Sequence, residues 1–276
     1  MVKASRNQLL FYVLTFVWTW AWYAPIVLSR ISPYEMPGMI FLILGGAGPS
    51  IVGVALVLTT YNKDERRDYW QRVISFRRIS PLWWLIILLI YPLILAVSSL
   101  INALIGGAAP GMEQFTALIA NPLSLPMLLL LWFMSGPIAE ELGWRGYALD
   151  PMLTRFGAMR GSILLGLIWG VWHLPLFFMP ATWHGQMGFQ FAGFWTFLAL
   201  NVGNTLIFTW VYSNTKRSIL SAIFLHFMAN FTANMILPIS NETEIARSFL
   251  LLAAGLVVCA MLVRGQPRVE KLQPAG

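Results

Sequence analysis

The chain is short of charge, of histidine and of cysteine, and each shortage excludes something. Only 11% of its 276 residues are Asp, Glu, Lys or Arg, against about 25% in soluble globular proteins. With 58% of the residues hydrophobic, too little polar side chain is left to cover a water-facing surface. The one cysteine, Cys259, excludes a disulfide framework and any zinc or iron–sulfur centre built from thiolates. No run of alternating polar and apolar residues appears, which removes the membrane β-barrel. No small-residue cleavage site follows the first apolar block, which is also longer than a signal-peptide core, so it reads as an uncleaved first span. Internal repeats, low-complexity tracts and stretches long enough for a soluble domain are missing too. The net charge of +7 does not indicate nucleic acid, because the basic residues stand in short runs between apolar blocks rather than on one polar face.

What is present is apolar sequence in lengths that suit a bilayer, which needs about 20 residues per helical span. Eight blocks qualify: Leu9–Leu28, Gly38–Tyr61, Leu82–Ile105, Leu123–Leu149, Gly161–Met179, Phe189–Tyr212, Ile219–Leu237 and Phe249–Val263. Backbone groups in lipid must bond within their own segment, so an all-α polytopic helix bundle is expected. Trp83, Trp84, Tyr147, Trp183 and Tyr212 lie near block ends, as interfacial aromatics do. With the N-terminus inside, sixteen of the 18 Lys and Arg fall in inside segments and only Arg30 and Arg247 fall outside. The expectation is a single membrane-embedded domain over residues 1–276 with eight spans and both termini cytoplasmic. The segment Lys63–Ser80, which mixes charge with Tyr69, Trp70, Val73, Ile74 and Phe76, reads either as an amphipathic surface helix or as a solvated loop.

Ionisable residues inside spans are costly and mark functional sites. Three groups occur: Glu140, Glu141 and Arg145 in the fourth block, His173 in the fifth, and His226 with Asn230 in the seventh. Glu141 and Arg145 are four residues apart and share a helix face, so they can pair. Glu140 is turned about 100° away and is left to face a cavity. From the proposed inner ends, Glu140, His173 and His226 lie at roughly 12–18 Å of depth, which points to one shared chamber open to the cytoplasm. His184 reads as a surface residue of a short outer loop, and Glu35, Glu113, Glu242 and Glu244 as outer-loop charges. Asn241-Glu-Thr243 fits a glycosylation sequon.

A carboxylate beside an imidazole can hold and deprotonate a water. A His and an Asn on another helix can donate hydrogen bonds to a developing oxyanion. Glu140, His173 and His226 are equally a His2Glu set that could hold zinc with an open position for water. Both mechanisms are open at this point. Intramembrane acids and histidines also line proton paths, so a proton-coupled transporter competes, although no polar group is seen to continue to the other face.

At these residues the sequence resembles the CPBP family, the CAAX-protease and bacteriocin-processing (Abi) membrane endopeptidases. The family pattern Glu-Glu-x-x-x-Arg is matched by Glu140, Glu141 and Arg145, and His-x-x-x-Asn by His226 and Asn230. Phe-x-x-x-His is matched at His173 with Trp169 in place of Phe. The resemblance covers about 123–230, within a catalytic core of about 123–237. It implies an intramembrane endopeptidase in which Glu140 and His173 activate water, His226 and Asn230 stabilise the oxyanion, and Glu141 and Arg145 support the site. It further implies a peptide or lipidated-protein substrate, either a CAAX-type prenylated C-terminus or a maturing peptide. A non-enzymatic immunity protein on the same fold is the alternative. Membrane lipids are the expected surroundings, in a prokaryotic cell membrane, with no nucleic acid. Zinc is optional, and a glutamate-activated water is the preferred reading.

Overall fold

The computed structural model describes residues 2–107, 111, 113–189, 191–235 and 240–265, and Arg268 and Lys271 from the charge count lie outside them, as does Leu237 at the end of the seventh block. Among the described residues the chain is helical, with no strand. Helix α1 (Val2–Ser29) is followed by α2 (Gly38–Gly46) and α3 (Gly48–Thr60), then by α4 (Lys63–Ile74) and α5 (Pro81–Leu104). A short α6 (Glu113–Ala120) leads to α7 (Leu125–Phe133) and α8 (Ala139–Gly143), and thence to α9 (Leu149–Trp172). The rest comprises α10 (Trp183–Met187), α11 (Thr196–Asn214), α12 (Ile219–Met235) and α13 (Asn241–Gly265).

By length and composition, five stretches can cross a membrane, or six when α2 and α3, bent by 45°, count as one span. The protein is therefore a multi-pass membrane protein. The described parts of the eight apolar blocks lie mostly on helix, yet lengths alone give the smaller number, for two reasons. The fourth and fifth blocks belong to one helical run, Pro122–Phe178. That run turns at Gly157, whose φ of 76° and ψ of 169° lie in a region only glycine enters cheaply. The seventh block is Ile219–Met235, 17 described residues, slightly short of a full crossing.

Helix α11 runs through the middle. Of its apolar window 72% is buried, against 22% in α5 and α13, which turn Leu85, Leu88, Leu93, Val257 and Met261 outward. Close backbone approaches hold α3 on the fourth block. A methyl placed on Gly53 would sit 2.7 Å from the Gly143 Cα, so both positions have to be small, as in packed membrane helices. Beside them the Ser50 hydroxyl donates to the Ile138 carbonyl at 2.8 Å.

The segment after α3 is a helix and more than a surface float. Asn62 caps it by accepting from the Asp64 and Glu65 N–H groups, and Glu65 accepts from the Asn62 N–H in return, the reciprocal capping box. Tyr69 and Arg72, three residues apart, face inward. The Tyr69 hydroxyl donates to the Leu142 carbonyl at 2.9 Å. Arg72, 2% exposed, meets Asp68 at 3.0 Å, Asp150 at 3.1 Å and the Tyr212 hydroxyl at 2.7 Å. Arg217 closes the group by donating to Asp150, and that bond holds its guanidinium above the ordinary range. This cluster ties α4, α9 and α11 at one end of the bundle.

Removing a buried partner leaves the remaining charges uncompensated. Arg72→Met should cost about 2 kcal/mol, less than for a sealed pair because Asp150 keeps Arg217 and some solvent. Thermal unfolding in detergent should show a fall of several degrees in Tm, while exposed Arg67→Met leaves Tm in place. Equal Tm values for the two variants would remove the cluster from the account of stability.

Candidate active site

The acidic pair sits on α8, which has a π-helical turn on each side, Met134–Ile138 and Trp144–Ala148. Such widened turns re-aim side chains and often mark working sites. Pro137 gives a local cause for the first, because it cannot supply the N–H that an α-turn requires.

Glu141 is sealed, at 0% exposure. Its Oε1 accepts from Arg145 Nη1 at 2.9 Å and from His226 Nδ1 at 2.7 Å. The Arg145 guanidinium lies between two rings, 4.3 Å from the Trp169 centroid and 4.1 Å from that of Phe208, with a further bond to Thr205 at 3.3 Å. Arg145 is 1% exposed, so it does not reach toward headgroups. The pairing expected from the four-residue spacing is present, and His226 joins it.

Glu140 points elsewhere, as its 100° offset requires. Its Oε2 accepts from the Trp169 indole N–H at 2.7 Å. The Trp169 ring lies 5.7 Å from the His173 ring and 5.6 Å from that of His226. His173 Nδ1 bonds the Trp169 carbonyl at 2.8 Å. A carbonyl only accepts, so Nδ1 carries the proton and Nε2 of the neutral ring is left with its lone pair. Asn230 and His226 meet the fourth block at Gly136, where an added methyl would lie 2.8 Å from Asn230 Nδ2 and 3.1 Å from His226 Nε2.

The structure therefore gathers Glu140, Glu141, Arg145, His173, His226 and Asn230 around one indole. It does so as a packed cluster in which Trp169 touches Glu140, His173 and His226. Glu140 and His226 are each 6% exposed and Trp169 4%, while His173 and Asn230 are half-buried.

Among the described residues no group of three or more His, Cys, Asp or Glu is gathered as metal ligands. The indole N–H occupies Glu140 Oε2, and the Trp169 ring lies against both imidazoles.

Two sequence expectations are corrected. His184 is half-buried rather than a surface residue. Its ring stacks on His173 at 5.7 Å and 19°, beside Phe177 and Phe197. Thr182 folds the loop back by donating to the Leu176 and Met179 carbonyls and accepting from the Gly185 N–H. Burial, with His173 next to it, holds the His184 imidazole well below its ordinary range. Only the distance between positions 173 and 184 hid this contact. Glu244 is likewise no loop charge: it is 5% exposed on α13 and pairs with Arg247 at 2.6 Å. With Ser98, Asn102, Ser248 and the Tyr91–Asn204 bond of 3.0 Å, it extends polar groups into the half of the bundle that sequence reading left apolar.

Residues 122–232, which include every candidate site residue, match the family model of type II CAAX prenyl endopeptidases, Rce1-like. Over 257 residues, 91% of this chain and 93% of the relative, the sequence is 28% identical to CAAX prenyl protease 2 of Methanococcus maripaludis. The chain is thus similar to type II CAAX prenyl endopeptidases over the segment that carries the candidate site and to a CAAX prenyl protease over most of its length. Its departure from the CPBP pattern, Trp169 for Phe, is the residue whose N–H reaches Glu140. Phenylalanine has no such donor.

A hydrogen bond to a charged group is worth about 1.5–3 kcal/mol. Trp169→Phe keeps the ring wall but frees the Glu140 oxygen. Any peptidase activity of the chain should slow about tenfold or more, at a Tm close to wild type. Undiminished kcat in that variant would make the indole N–H a packing feature only.

Proposed function

We propose that the chain is an intramembrane endopeptidase of the glutamate type, removing the C-terminal residues of CAAX-type prenylated proteins at the cytoplasmic side of a prokaryotic membrane. The observation that carries this reading is Glu140, held on one oxygen by the Trp169 indole, whose ring also lies against His173 and His226. The name of the archaeal relative, CAAX prenyl protease 2, supports the substrate class.

In this mechanism a water lies between Glu140 Oε1 and His173 Nε2. Glu140 takes its proton as the water oxygen bonds to the scissile carbonyl carbon. The carbonyl oxygen gains the electron pair and is met by Asn230 Nδ2 and by His226 Nε2–H. In this mechanism His226 donates from both ring nitrogens, through Nδ1 to Glu141 and through Nε2 to the oxyanion. Collapse of the intermediate breaks the C–N bond, and the protonated Glu140 returns its proton to the departing amine. Products are a shortened carboxylate and a free peptide.

Glu140→Gln and His173→Ala should each lower kcat at least 100-fold, the usual scale for acid–base groups, with Asn230→Ala similar through loss of an oxyanion donor. The assay is mass spectrometry on a farnesylated peptide ending in a CAAX sequence, using folded protein in detergent or liposomes, with and without a strong zinc chelator. Full cleavage by Glu140→Gln defeats the glutamate mechanism, and loss of cleavage with chelator restores the metal one. Proton-coupled transport is the second reading, favoured by the buried polar groups around Tyr91 and Glu244. It requires proton flux in peptide-free liposomes that Glu244→Gln abolishes.

A further inference from the structure

Glycine is disfavoured relative to alanine inside a helical turn, so a buried glycine there calls for a reason. Gly136 is buried within the π-helical turn one turn before Glu140. A Cβ built on it would lie 2.8 Å from Asn230 Nδ2, 3.1 Å from His226 Nε2 and 3.4 Å from His226 Cε1. The bare Cα is therefore the surface on which both proposed oxyanion donors rest. The two neighbours differ in freedom. His226 is fixed through Nδ1 to the sealed Glu141 and cannot turn aside without breaking that bond. Asn230 is half-buried, and its amide is the far end of a flexible side chain.

We infer that Gly136 is a positioning residue for the peptidase reaction: the absence of a side chain at this point sets Asn230 Nδ2 and His226 Nε2 beside each other at the turn that carries Glu140. The inference rests on the peptidase reading above. A methyl group at 136 displaces the Asn230 amide, the more mobile of the two, and spares the fold. Gly136 thus acts on the rate through Asn230 and not through stability.

The test is a double-mutant cycle on the full chain with the farnesylated CAAX peptide. Asn230→Ser shortens the side chain and leaves room for the methyl. Expected for Gly136→Ala are a kcat at least tenfold below wild type, KM within about twofold, and a Tm equal to wild type or slightly higher. The double variant should match Asn230→Ser within about twofold, because the closest contact is then removed and only the 3.1 Å approach to His226 remains. Three results overturn the inference: Gly136→Ala with more than half the wild-type kcat, a double variant whose losses multiply, or a Gly136→Ala protein that fails to fold. An inactive wild type sinks the peptidase reading instead. An active wild type with fully active Asn230→Ser removes the role of Asn230 and this inference with it.

Discussion

A carboxylate sealed inside a membrane helix has to be answered by positive charge on its own protein, because lipid offers none. Glu141 is that group here. It draws Arg145 from its own helix and His226 from another, and the Arg145 guanidinium in turn seats Trp169 and Phe208 on its two faces. Trp169 then holds Glu140 and lies against His173. The rest of the site is arranged by consequence. Glu141 never has to touch a substrate for its charge to determine where every reacting group stands.

Much of this was readable from sequence because membrane constraints are severe. Apolar length gave the helices, since no other backbone arrangement of this composition satisfies itself in lipid. The four-residue spacing of Glu141 and Arg145 gave the ion pair, and the neighbouring acid had to point elsewhere. The third partner, His226, was out of reach, because it lies 85 residues away and spacing says nothing about contacts between helices. The same holds for His184, which looked like loop chemistry until the Thr182 bonds folded it onto His173. Trp169 was noticed only as a departure from an aromatic pattern. That its N–H, and not its bulk, would matter depends on the Glu140 rotamer, which no one-dimensional signal carries.

Span counting shows a related limit. Charge alternation favours eight crossings, whereas helix length and composition supply five or six. The difference arises at particular places: the turn at Gly157 inside one long helical run, the bend between α2 and α3, and the short α12. The first two are spots where the backbone departs from a straight rod, and α12 itself carries His226 and Asn230. Glu244 makes the same point in reverse. The apolar block begins at Phe249, yet α13 starts at Asn241 and buries Thr243, Glu244 and Ser248.

Helix α4 has one more implication. Its Tyr69 hydroxyl grips the carbonyl of Leu142, the residue directly after Glu141, while Arg72 fastens the same helix to Asp150 and Tyr212. The polar margin of the molecule and the acid-bearing turn therefore form one stiff lever. Whatever tilts that margin is passed to the acid-bearing turn through these bonds.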